Sequence, residues 1–211
     1  MRTDDLIDAL AADAGPPPGA PPAGRFGLLA GLGALLALFG VLAWLKVRPD
    51  LMQVMHGSFF WLKAGYTGAL GLAGFLAVER LARPTGSPRR GLLLGLIVLI
   101  AFGLAALVQA GLAEDPMTLM RGGSWTRCSL NILVLGAPTT LLGLWVLRGL
   151  APTRALEAGF ATGALAGGVA ATVYGLHCAE STFVFVGLWY SLGVLGCAAL
   201  GAVIGRWVLR W

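Results

Sequence analysis

Six apolar runs, each close to the length needed to cross a bilayer, limit this chain more than any other feature. They cover residues 26–45, 59–78, 91–113, 129–147, 155–176 and 182–205. About 20 helical residues span the roughly 30 Å hydrocarbon layer, and in lipid a single run satisfies its own backbone only as a helix. Composition agrees: 57% of residues are hydrophobic and only 12% are charged, against about 25% charged in soluble domains. The expected fold is an all-α membrane protein, a bundle of six transmembrane helices over residues 26–211. Lys63 interrupts the second run near its start. Gly159, Gly163 and Gly167 recur every four residues in the fifth run, and Gly201 and Gly205 in the sixth, a spacing that brings helix backbones close. Pro138 predicts a kink in the fourth run. No internal repeat is visible, which counts against a transporter built from two related halves.

The net charge of +5 does not point to nucleic acid, because the basic residues sit in short connections between the apolar runs. Arg2, Arg25, Arg80, Arg83, Arg89, Arg90, Arg148, Arg154, Arg206 and Arg210 collect on one side. Lys46, Arg48, Lys63, Arg121 and Arg127 collect on the other. The positive-inside rule then places both termini in the cytoplasm and the first, third and fifth connections outside. The first 25 residues are acidic and proline-rich, unlike a cleavable signal peptide.

Residues 1–14 form a candidate acidic helix ahead of the bundle. Thr3 or Asp4 offers a cap, and acidic residues in the first turn suit the helix dipole. Leu6, Ile7 and Leu10 share one face, with Asp5, Asp8 and Asp13 mostly elsewhere. Residues 15–25, rich in proline and glycine, read as a semi-rigid spacer. Two readings stay open for the helix: a disordered acidic tail, or a recognition segment that folds on a partner with an apolar groove and a basic rim.

Chemistry concentrates outside the cytoplasm. Cys128 opens the fourth run, and Cys178 lies in Tyr174-Gly-Leu-His-Cys-Ala-Glu-Ser between the fifth and sixth. A bridge between them would close a loop of about fifty residues, worth about 4 kcal/mol in the chain-entropy model. The same pair could instead switch, by oxidation or by binding a metal through Cys128, Cys178 and His177, with Glu180 beside them. The spacing matches no zinc pattern, and the absence of Cys-x-x-Cys counts against a catalytic dithiol. Cys197 reads as a packing residue, Lys63 as a lysine reaching for the outer interface, and His56 has no neighbouring ligand. Trp189 and Tyr190 pack or anchor near the outer interface. No phosphate loop, serine nucleophile or paired intramembrane carboxylate is present, so neither enzyme activity nor a cofactor is expected. A small transporter and a thiol-redox membrane protein are the alternatives to a regulatory role.

Several segments resemble the NrsF-like integral-membrane anti-sigma factors of proteobacteria. They are Thr3-Asp-Asp-Leu-Ile, Glu79-Arg-Leu-Ala-Arg-Pro, Leu147-Arg-Gly-Leu-Ala-Pro-Thr, Tyr174-Gly-Leu-His-Cys-Ala-Glu-Ser and Trp189-Tyr-Ser-Leu-Gly. The resemblance runs nearly end to end. It implies a multi-pass protein of the bacterial inner membrane that sequesters an extracytoplasmic-function (ECF) sigma factor and does not itself bind nucleic acid. It further implies that the N-terminal segment, with Asp4, Asp5, Leu6, Ile7, Asp8 and Leu10, holds the sigma factor. Cys128 and Cys178 would be the periplasmic pair that responds to heavy-metal or oxidant stress. The proline-rich linker, with a single basic residue beside the membrane, departs from the family pattern.

Overall fold

The computed structural model describes residues 2–13, 22–83, 85–150 and 152–210, and among these residues it contains helices and no strand. The acidic segment is helical: α1 covers Thr3–Asp13, with Asp4 and Asp5 in its first turn. Thr3 and Asp4 already lie inside it and do not cap it. Instead the Asp5 carboxylate accepts the Arg2 backbone N–H at 3.2 Å, satisfying a donor at the open helix end. Leu6, Ile7 and Leu10 are all exposed.

Most of the expected spacer lies outside the described residues, but its last four residues belong to the next helix. Helix α2 (Pro22–Gly40) starts with proline in its first turn, where no N–H is needed, and runs into a π-helical turn at Val41–Leu45. After one short turn, α3 (Leu51–Val54), come two helices of 24 residues each, α4 (Ser58–Leu81) and α5 (Arg89–Leu112). The short α6 (Pro116–Arg121) is capped by Asp115, whose carboxylate accepts from the N–H groups of Met117 and Thr118. Helix α7 (Trp125–Arg148) continues through Pro138, and α8 (Ala155–Tyr174) follows. The chain ends with a single turn α9 (Phe183–Phe185), a second π-helical turn (Val186–Tyr190) and α10 (Ser191–Val208).

Five segments are long and apolar enough to cross a membrane: Pro22–Leu45, Arg89–Leu112, Pro116–Arg148, Ala155–Tyr174 and Phe183–Val208. The expected second span, α4, is long enough, but Lys63, Tyr66, Thr67 and the glycines at 65, 68, 71 and 74 dilute its apolarity. Apolarity alone therefore marks five crossings where six were expected.

Small residues decide where the helices meet. Helix α8 sits centrally, packed most extensively on α10, then on α4 and α7. A methyl group at Gly159 would collide with the Gly201 carbonyl, and one at Gly163 with the Cys197 carbonyl. On the opposite face of α8, a methyl at Gly168 would meet the backbone of Gly71. The glycine spacing thus marks real backbone-to-backbone seams. Large apolar side chains point the other way: Leu92, Leu96, Ile97, Ile100, Leu104 and Leu107 of α5 are all exposed. Water-exposed domains rarely carry an apolar surface this continuous, and it is compatible with insertion in a bilayer. Two buried clusters fill the ends of the bundle. One is built around Ile132, Tyr174, Phe185 and Tyr190, and the other around Phe26, Val78, Leu144 and Leu147.

Candidate functional site

The first of these clusters contains both predicted cysteines. Cys128 occupies the first turn of α7. Cys178 follows α8 in a short turn whose N–H groups at His177 and Cys178 still bond the Tyr174 carbonyl, at 2.9 and 3.1 Å. The backbone therefore folds Cys178 back over the end of its own helix, toward α7. Both thiols are buried and unbridged, with 0% and 3% of their surface exposed. They face each other. The Cys178 thiol is held below the ordinary thiol range, chiefly by a hydrogen bond from Cys128; burial opposes this, and Tyr190 and Lys63 add to it.

Aromatic hydroxyls close the pocket. Tyr174 reaches Asn131 and Cys128. Tyr190 is fully buried beside Cys178, and among the described residues its hydroxyl has no hydrogen-bond partner. It stands at the end of the π-helical turn Val186–Tyr190, where the extra residue per turn shifts the helical register just as this ring enters the pocket. Such turns gather at functional sites because they re-aim side chains at the expense of regular bonding.

Lys63 corrects an expectation. Its ammonium does not reach an outer interface; only 3% of the residue is exposed. Nζ donates to the Cys178 carbonyl at 3.0 Å and to the Glu180 carbonyl at 3.2 Å, and lies 5.7 Å from the centre of the Tyr190 ring. A second cation joins from the α2–α3 connection: Arg48 donates to the Cys178 carbonyl at 3.3 Å while its other nitrogens hold Asp50 at 2.7 Å. Hydrogen bonding to Asp50 holds the Arg48 guanidinium more firmly protonated than usual and Asp50 below the usual carboxylate range. Neither cation was assigned to the site from sequence. The available signal was a lysine inside an apolar run, which is costly unless something inside the bundle satisfies it.

The other two predicted residues sit in the same turn, but their side chains bond other parts of the chain. His177 donates through Nδ1 to the Lys46 carbonyl at 2.8 Å, and Lys46 itself adopts φ 65° to present that oxygen. Glu180 braces the α6–α7 connection, accepting from the Gly123 N–H at 2.7 Å and the Ser124 hydroxyl at 3.4 Å. Among the described residues, no three of His, Cys, Asp and Glu gather where they could hold a metal ion. The structure brings Cys128 and Cys178 together and leaves His177 and Glu180 as struts. Trp189 packs inward, its indole N–H donating to the Met120 carbonyl at 2.8 Å. Cys197 lies mid-helix against the backbone of α7, as a packing residue would, and His56 is exposed.

The described residues thus define an all-helical bundle with an apolar exterior, an acidic N-terminal helix and a buried thiol pair. The chain belongs to the NrsF family, negative regulators of sigma F, whose family model matches residues 10–211. It is 58% identical over 214 residues to the anti-sigma-F factor NrsF of Caulobacter vibrioides (strain NA1000 / CB15N), covering the whole of both chains. It is 42% identical over 218 residues to the probable anti-sigma-F factor NrsF of Azospira oryzae, again across both chains. No solved structure matches. Family membership makes this a regulatory protein, not an enzyme.

Proposed function

We propose that this chain is an inner-membrane anti-sigma factor that sequesters an ECF sigma factor and releases it when its thiol pair is modified. Residues 1–14 form the sigma-binding segment, residues 15–25 the linker, and residues 26–211 a six-span anchor with both termini in the cytoplasm. The observation that carries this reading is the free apolar face of α1 on a chain that aligns end to end with proteins named anti-sigma-F factors. Leu6, Ile7 and Leu10 are the anchors of a helix-in-groove contact, and Asp4, Asp5 and Asp8 supply charges for a basic rim on the sigma factor. A helix of three turns is marginal alone, so binding and folding are coupled, and release needs only a modest loss of contact.

At the far end, Cys128 and Cys178 meet in a buried pocket outside the cytoplasm and respond to oxidants or heavy metals. With a hydroperoxide, the two S–H bonds and the O–O bond break, the S–S bond forms, and alcohol and water leave. A shorter sulfur–sulfur distance then pulls the α8–α10 turn toward α7.

The test is capture of the sigma factor from cell membranes by the full-length chain. Leu6→Asp with Leu10→Asp is expected to lose at least about 90% of the captured sigma factor, since each change buries a charge in an apolar contact. Full retention would remove α1 as the contact.

A further inference from the structure

Lys63 is the buried cation whose surroundings least resemble a structural accident. Among the described residues no carboxylate lies within ion-pair distance of it. Its partners are the two carbonyl oxygens of the cysteine turn and the face of Tyr190. Burying an ammonium against neutral groups alone is costly unless its donors are well used. A stabilising role would be better served by an apolar residue of similar length, because α4 already packs on α8 through glycine seams at Gly71 and Gly74. The stem of Lys63 runs close over Gly175, the residue where α8 ends. Three residues further along α4, Tyr66 bonds the Ser191 hydroxyl at 2.6 Å, next to Tyr190, and Thr67 bonds Thr172 at 2.8 Å. One face of α4 is therefore tied by polar contacts to every part of the chain that presents a group to the sulfurs, apart from α7. The groups facing the pair are Tyr174 from α8, Tyr190 from the π-helical turn and Lys63 from α4; Asn131 of α7 reaches Tyr174, and Arg48 reaches the Cys178 carbonyl.

We propose that Lys63 is the positioning residue of the thiol pair: its ammonium, held by the carbonyl oxygens of Cys178 and Glu180, keeps Cys178 in register with Cys128. It acts through the backbone of the turn and does not itself react. The inference rests on the sensing role proposed for the cysteines only for its biological consequence; the register of the two sulfurs is a property of the fold. Without the ammonium, the 178–180 turn loses the contact that fixes it to α4, and the sulfurs meet less often.

The experiment measures how fast the full-length protein in native membranes forms the Cys128–Cys178 bond under copper–phenanthroline. The two thiols lose their protons and two electrons to dioxygen through the copper complex, giving the disulfide and hydrogen peroxide. Mass spectrometry of the linked peptides gives the rate. Lys63→Met keeps the stem and removes the charge, and is expected to slow cross-linking about tenfold or more, since small misplacements of reacting groups have large effects on rate. Lys63→Arg keeps a cation with several donors and is expected to recover most of the wild-type rate, which a loss of packing would not allow. Wild-type membrane abundance and an unchanged pattern of limited proteolysis check that each variant is folded. Cross-linking of Lys63→Met at the wild-type rate, failure of Lys63→Arg to recover, or no cross-linking of the wild type would each overturn the assignment. Failure of the sensing role is separate. It appears as unchanged oxidant and metal induction of a sigma-dependent reporter in a Cys128→Ser, Cys178→Ser strain, whatever the cross-linking rates.

Discussion

Gly122 shows how single residues hold the candidate site together. It adopts φ 50°, and a methyl group there would lie 2.7 Å from both a Glu180 carboxylate oxygen and a ring carbon of Phe185. Only glycine fits both the backbone angle and the space. Its neighbour Gly123 donates to Glu180, so the bend at Gly122 is what lets a carboxylate 57 residues away brace the entry to α7, where Cys128 begins. Gly122→Ala is therefore expected to destabilise the protein by about 1–3 kcal/mol through backbone strain and displacement of Glu180. Urea unfolding in detergent micelles would show this as an earlier midpoint with an unchanged slope. Gly103→Ala, with no atom near the added methyl, serves as the neutral comparison, and equal midpoints would refute the account. In the sequence Glu180 lies two residues from Cys178 and reads as a neighbour of the sulfurs. A single chain shows which polar residues are dense in sequence, not which backbone donors a turn will carry to them. Lys63 is ambiguous in sequence for a related reason: its position near the end of an apolar run suits both an interfacial lysine and one turned into the bundle. Only the rotation of α4 about its axis separates the two.

Rotation and register are properties of whole helices, and there the sequence was informative in part. The glycines of α8 and α10 at four-residue spacing announce a close seam, because that spacing stacks them along one face of each helix. The two π-helical turns were not legible, since a one-residue shift in register leaves no compositional mark. One of them carries Tyr190 into the pocket, so the least legible local geometry lies at the candidate site. The seam itself gives a clear expectation. At Gly163 an added methyl would strike the carbonyl of Cys197, a backbone atom that cannot turn aside as a side chain would. Gly163→Ala should separate α8 from α10 and cost about 1–3 kcal/mol, the usual range for over-packing. Gly111→Ala in α5 meets nothing within 4 Å and should be neutral or slightly stabilising through helix propensity. Detergent-titrated unfolding of the two variants beside the wild type would settle the contrast. A Gly163→Ala protein as stable as Gly111→Ala would mean that the seam tolerates a wider spacing.

At the scale of the whole molecule, the decisive question is whether α4 crosses the bilayer. Its apolarity leaves this open, but its packing does not favour leaving it at a surface. Helix α4 lies along α8 and beside α5, with Phe60, Leu70, Ala77 and Leu81 buried along its length. Lys63 at one end binds the cysteine turn, while Val78 and Leu81 at the other lie in the buried cluster with Phe26 and Leu147. A helix held at both ends of a bundle whose neighbours are long enough to span is expected to span with them. The two topologies differ in sign at every later connection. With α4 across, the connection near residue 115 is outside and the C-terminus is in the cytoplasm, on the side that carries ten of the 15 basic residues. With α4 excluded, the same connection is cytoplasmic and the C-terminus is outside, which would also put Cys128 and Cys178 in a reducing compartment. Alkaline phosphatase gains activity only where its disulfides form. Fused after residue 115 it is expected to be active, and fused to the C-terminus inactive. The reverse pattern would remove both the six-span anchor and an extracytoplasmic thiol pair, because both rest on α4 crossing.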